Sequence, residues 1–227
     1  MVGLTAAGLK AAGLKVGVLI SGRGSNLQAL IDACAAPDFP AGIALVLSNK
    51  ADAYGLERAA SAGVPVAVVS HRDFPGDKRA FEEAMDARLR DAGVELVCLA
   101  GFMRLLSPWF VERWHDRMIN IHPSLLPSFK GLDTHQRALD AGVRFHGCTV
   151  HYVRPEMDEG PIIAQAAVPV LPGDDADRLS ARVLEAEHRL YPQALRLIAE
   201  GRARVEDGRV ALSNSAADLP TLINPPA

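Results

Sequence analysis

The chain has 227 residues, 49% hydrophobic and 22% charged, with a formal net charge of -3 and a pI near 6.2. That length buries a substantial core and suits a single α/β domain. The charge gives no global attraction to nucleic acid or anionic membrane, so any anion site must be local.

No run reaches the roughly 18 apolar residues of a membrane-spanning helix. Cys34, Cys98 and Cys148 are widely spaced, without a Cys-x-x-Cys pair, which suits a reduced cytoplasmic protein. Cys98, inside the apolar run 94–100, is expected to be a buried thiol. His146 and His151 have no cysteine or carboxylate companion at a ligand spacing, so no metal is expected.

Residues 1–14 are rich in Ala and Gly and lack the basic start and hydrophobic block of a signal peptide. They are expected to form an extension outside a domain spanning 15–212. Within that domain, short apolar runs at 16–21, 43–48, 64–69, 95–100 and 118–122 read as buried strands. Amphipathic windows at 26–36, 51–62, 77–92 and 107–114 read as the helices between them. This alternation predicts a parallel sheet covered on both faces. Gly63 and Gly93 punctuate it where a helix ends before a strand.

The second half changes character. Runs at 146–153 and 161–170, joined by a short loop, predict antiparallel strands added to the parallel core. A long helix over 174–200 would present Leu179, Val183, Leu190, Leu195 and Ile198 to the core. Val205 and 210–212 suggest a small hairpin across Asp207-Gly208, and a tail rich in Pro, Ala, Asn and Ser follows over 213–227.

Four segments carry candidate chemistry. Ser21-Gly22-Arg23-Gly24-Ser25-Asn26 links a strand to a helix, where glycines let backbone approach a ligand and free N–H groups attract an anion. Leu27 occupies the place of the third glycine in the dinucleotide fingerprint, which argues against NAD. The same turn could be only a tight connection. Asn120 and His122 stand two apart at a strand end, so both side chains leave one face and can polarise one carbonyl. Asp158, in Met157-Asp158-Glu159-Gly160-Pro161, could favour the protonated imidazole. Equally, Asn120 and His122 could satisfy loop backbone and Asp158 could be a turn former. In the loop 101–107, Phe102, Met103, Leu105 and Leu106 could wall a flat heterocycle or simply plug the core. On its own, Glu187 reads as part of a solvated helix face.

Taken together, the motifs Ile20-Ser21-Gly22-x-Gly24-Ser25-Asn26-Leu27-Gln28, Ser48-Asn49-Lys50-Ala51-Asp52-Ala53 and Leu99-Ala100-Gly101-Phe102-Met103-Arg104 resemble those of the phosphoribosylglycinamide formyltransferases, a folate-dependent family of purine synthesis. So do Asn120-Ile121-His122-Pro123-Ser124-Leu125-Leu126-Pro127, Gly147-Cys148-Thr149-Val150-His151 and Glu187-His188-Arg189-Leu190-Tyr191-Pro192. The resemblance runs from about Lys15 to about Gly208. It implies a Rossmann-like, mostly parallel α/β sheet whose C-terminal half carries antiparallel strands, a long helix and the folate site. The implied catalytic residues are Asn120, His122 and Asp158. Gly24, Ser25 and Asn26 would hold the substrate phosphate and Glu187 the ribose hydroxyls. Met103, Arg104, Leu105 and Leu106 would line the pterin pocket with Val153 and Asp158.

The implied substrates are glycinamide ribonucleotide and 10-formyltetrahydrofolate, with no metal, nucleic acid or membrane, in a monomer or homodimer. Arg23 replaces an Asn often found in the first loop, and Glu159 stands where a Gly is also seen. Rival members of the superfamily are methionyl-tRNA formyltransferase, with an added RNA-binding domain, and formyltetrahydrofolate deformylase, with an added regulatory domain. The chain length is expected to leave room for neither. A non-catalytic phosphate-metabolite binding module on the same sheet is the rival of a different class.

Overall fold

The computed structural model describes residues 13–213 together with Leu222 and Asn224. Most of the expected extension and tail therefore lies outside the described residues.

Strand β1 (Leu14–Ile20) leads to α1 (Ser25–Ala35), β2 (Ala41–Ser48), α2 (Tyr54–Ser61) and β3 (Val66–Val68). After a 3-10 turn at His71–Asp73 come α3 (Lys78–Asp91), β4 (Leu96–Leu99), α4 (Pro108–Arg113) and β5 (Met118–His122). The remainder is α5 (Thr134–Asp140), β6 (Phe145–Tyr152), β7 (Ile162–Pro169), the long α6 (Ala176–Ala199), and a hairpin of β8 (Ala203–Glu206) and β9 (Arg209–Leu212). Helix starts follow side-chain chemistry. Asp77 accepts the Ala80 amide ahead of α3, Ser107 accepts the Phe110 amide ahead of Pro108 in α4, and Asp175 accepts the Arg178 amide ahead of α6.

Seven strands form one sheet in the order β3-β2-β1-β4-β5-β6-β7, parallel from β3 to β5 and antiparallel across β5-β6 and β6-β7. The chain first winds outward from β1 to β3, then returns to β4 on the other side of β1. That reversal makes a switch point between β1 and β4, where adjoining loops at the carboxyl edge diverge and open a crevice. Each face has its own core. Leu27 and Leu30 of α1 and Leu179, Val183, Leu190 and Leu195 of α6 cover one, while Phe81, Met85, Leu89, Phe110 and Trp114 cover the other. Fully burying each such side chain contributes about 1.5–3 kcal/mol of transfer free energy. Tyr191, fully buried on α6, donates its hydroxyl to the Leu99 and Ile119 carbonyls at 3.1 and 3.3 Å, pinning the helix across β4 and β5.

The structure corrects several boundaries. β1 begins at Leu14, inside the expected extension, because the Leu14 amide donates to Pro40 O at 2.9 Å and the residue pairs with Ala41. β3 covers only Val66–Val68, and Val66 and Val68 are 44% exposed, since an edge strand has one neighbour. α2 starts at Tyr54, three residues later than expected. α5 had no forecast: it is seven residues long, with only Thr134 and Ala138 buried, too short for a helical period to stand out. The C-terminal hairpin turns at Asp207-Gly208 as expected, with φ of 49° and 74° suited to a two-residue hairpin loop. Cys98 is buried, and burial pushes its thiol pKa well up.

Candidate functional site

At the switch point, the loop after β1 folds back into α1. Gly24 caps the helix with φ 69°, and a Cβ there would come within 2.7 Å of the Gly55 Cα, so glycine is required at the contact between the two helix starts. Two loop carbonyls are occupied from α2: Gly22 O accepts the Gly55 amide at 3.0 Å and Arg23 O accepts Arg58 Nε at 2.9 Å. The amides of Ser25, Asn26 and Leu27 precede the first intrahelical bond, Gln28 N to Gly24 O at 2.9 Å, and have no acceptor within the helix. With no acidic residue in its first turn, α1 presents an N-terminus suited to an anion. Beside it, Asn26 Nδ2 donates to Glu187 Oε2 at 2.7 Å, across 161 residues of sequence. Burial raises the Glu187 carboxyl to about 6, against the lowering effect of the Asn26 bond.

The polar set at the end of β5 is built by three elements. Asn120 and His122 come from β5 itself. Opposite Asn120 on β6 lies His151, 2% exposed. Asp158 comes from the loop between β6 and β7, on a left-handed backbone with φ 56°. Asp158 Oδ2 accepts the Gly131 amide at 2.8 Å and stands 3.6 Å from His122 Nδ1, and its Oδ1 lies 4.0 Å from His151 Nε2.

Hydrogen-bond partners fix both imidazoles. His122 Nε2 lies 3.1 Å from Phe129 O, and a carbonyl only accepts, so Nε2 carries a proton and Nδ1 is the nitrogen turned toward Asp158. His151 Nδ1 lies 2.9 Å from Tyr152 O and therefore donates, leaving Nε2 to accept from Asn120 Nδ2 at 3.3 Å. Burial lowers the His151 pKa, which favours that neutral form. Asn120 thus spends one amide proton on His151 and has a second to donate elsewhere.

A cleft of about 170 Å³ adjoins this set, walled by Phe102, Leu105, Leu106, Val111 and Val153, with Asn120, His151 and Asp158 at its polar end. Arg104 also lines it. Of the other expected pocket residues, Met103 does not: the residue is 67% exposed, while its amide donates to Ser21 Oγ at 2.8 Å. His122 stands behind Asp158 instead of in the wall. A larger groove of about 700 Å³ between β7 and α6 is lined mainly by Ala and Leu side chains with Arg189 and Gln193. None of Asn120, His122, His151 and Asp158 lines it. Among the described residues, no group of three or more His, Cys, Asp or Glu could hold a metal ion.

Sequence reasoning missed the parts played by His151, the Phe129 carbonyl and the Gly131 amide. Two of these are backbone groups that carry no residue signal. Pairing of His151 with Asn120 needs the antiparallel register of β5 and β6.

The model of the formyl transferase family matches residues 14–195. Phosphoribosylglycinamide formyltransferase of Haemophilus influenzae is 46% identical over 202 residues, covering 89% of this chain and 95% of that protein. The bovine trifunctional purine biosynthetic protein adenosine-3 is 52% identical over 197 residues, 86% of this chain but only 19% of its own length. The crystal structure of glycinamide ribonucleotide transformylase 1 from Symbiobacterium toebii superposes with a TM-score of 0.85 at 50% identity, covering 88% of this chain and 94% of that one.

Proposed function

The chain belongs to the formyl transferase family, and on that footing we propose that it transfers the formyl group of 10-formyltetrahydrofolate to the amine of glycinamide ribonucleotide, yielding formylglycinamide ribonucleotide and tetrahydrofolate. The observation that carries this reading is the meeting of Asn120 and Asp158 at a cleft with apolar walls, with His122 Nδ1 3.6 Å from the Asp158 carboxylate.

In this reading the amine nitrogen bonds to the formyl carbon, the bond from that carbon to N10 of the folate co-substrate breaks, and negative charge passes through the formyl oxygen. The free amide proton of Asn120 and a proton on His122 Nδ1 stabilise that oxygen. The Asp158 carboxylate, 3.6 Å from Nδ1, stabilises positive charge on the imidazole. It also carries the proton lost by the amine toward N10, directly or through water. Phe129 O and His151 hold the two donors in place before substrate arrives.

The substrate phosphate fits the free amides of Ser25 and Asn26 beside Gly24, and the ribose hydroxyls fit the Glu187 carboxylate. Phe102, Leu105, Leu106 and Val153 suit the faces of a pterin, and Arg104 supplies a cation at the cleft. The test is to incubate purified protein with both substrates and follow tetrahydrofolate release. Release that requires glycinamide ribonucleotide supports the transferase. Equal release without it would point to a deformylase.

A further inference from the structure

Ser21, the first residue after β1, bonds in three directions at the switch point. Its backbone amide donates to Gly101 O at 3.1 Å, in the loop after β4. Its hydroxyl donates to Asn49 Oδ1 at 2.6 Å, just after β2, and accepts the Met103 amide at 2.8 Å. Asn49 Nδ2 approaches His71 Nδ1 at 3.5 Å, which turns Oδ1 toward Ser21. Ser21 is 4% exposed and Asn49 2%. With its single proton committed to Asn49, the hydroxyl has only lone pairs to offer Met103, so the direction of the relay is fixed.

This bracket spans the carboxyl ends of β2, β1 and β4, where the switch point would otherwise leave the loops to diverge. On one side of Ser21 lies Gly22-Arg23-Gly24-Ser25, the segment suited to phosphate. On the other lies Gly101 to Leu106, which supplies Phe102, Leu105 and Leu106 to the cleft. Neither loop shifts at this point without straining or breaking the Ser21–Gly101 or Ser21–Met103 hydrogen bond to the other.

We propose that Ser21, supported by Asn49, is a positioning residue that couples the two substrate sites, so that nucleotide bound at the β1 loop orders the β4 loop for the folate co-substrate. The proposal rests on the formyl-transfer reading above. By reciprocity, folate bound in the cleft tightens nucleotide by the same factor.

The test uses glycinamide ribonucleotide with tetrahydrofolate, a pair that lacks the formyl group and cannot react. Calorimetry on the full chain measures the tetrahydrofolate Kd with and without saturating nucleotide. In the unmodified protein nucleotide lowers that Kd by about fivefold or more, within the ordinary range of coupling between sites. In Ser21→Ala the factor falls below about twofold, while each ligand alone still binds. Hydrogen exchange across 101–106 slows on nucleotide binding in the unmodified protein and not in the variant. Asn49→Ala frees the hydroxyl to rotate and gives an intermediate loss; if Ser21→Ala does not fold, this variant decides the matter by the same two measurements. Coupling absent from the unmodified protein, or unchanged in these variants, overturns the proposal. Failure of the unmodified protein to bind either ligand would remove the formyl-transfer reading and the proposal with it.

Discussion

Replacing Asp158 by Asn removes one charge and almost nothing else. Asn adopts the left-handed backbone found at this position, and its amide oxygen can take the place of Oδ2, keeping the bond from the Gly131 amide. What disappears, in the proposed mechanism, is the attraction between the Asp158 carboxylate and the positive charge that develops on His122, 3.6 Å away. At an effective dielectric of about 20 that attraction is about 4.6 kcal/mol, a ceiling of roughly three powers of ten in rate. The Asp158 side chain retains 12% exposure, so solvent screens part of it, and releasing a desolvated carboxylate offsets more. We therefore expect Asp158→Asn to lower kcat by about 10²- to 10³-fold, with the KM values for both substrates within about threefold of the unmodified enzyme. Steady-state rates of tetrahydrofolate formation with each substrate varied in turn measure both quantities. A variant that keeps kcat within about threefold at neutral pH while binding both substrates would reduce Asp158 to a turn residue and refute the electrostatic argument.

Asn120→Ala should lower kcat by about 10²- to 10³-fold, as expected for loss of an oxyanion donor. It should also destabilise the fold by about 1–3 kcal/mol in urea unfolding, because buried His151 Nε2 loses its donor. Glu187 titrates at about 6 in the folded protein, so a ribose diol that needs the carboxylate should bind up to about tenfold more weakly for each pH unit below that value. Glu187→Gln should bind weakly with no such pH dependence in calorimetry. Because the folded value is raised, the stability contributed by neutral Glu187 is present at low pH and lost as pH rises through about 6; the melting temperature of Glu187→Gln should then match or exceed that of the unmodified protein above this range. Gly147→Ala would place a Cβ 1.9 Å from Ala166 O across β6-β7, and the overpacking should cost about 3 kcal/mol, lowering Tm by about 6–12 °C in calorimetry.

Substitution at Gly24 does not isolate the anion loop. The 2.7 Å approach to Gly55 and the φ of 69° make any such substitution a fold defect as well, so the pH behaviour of Glu187→Gln is the cleaner probe of the nucleotide site.

The sequence by itself determined the alternation of strands and helices, the parallel core with its antiparallel addition, and Asn120 and His122 on one face, because these follow from local periodicity and residue spacing. It also carried, through its motifs, the resemblance that marked Asp158 and Glu187. Only the tertiary structure decided who meets whom. Asn26 and Glu187 bond across 161 residues, and Ser21 and Met103 across 82, distances over which no periodicity speaks. Val66 and Val68 have the composition of a buried strand yet lie exposed, since position at the sheet edge is a property of strand order and not of the strand. His151 orients Asn120 only through the β5-β6 register, and His122 is held by the backbone carbonyl of residue 129, a group every residue type carries and no sequence signal marks. Side-chain type set what chemistry was available; strand order and register set which atoms could share it.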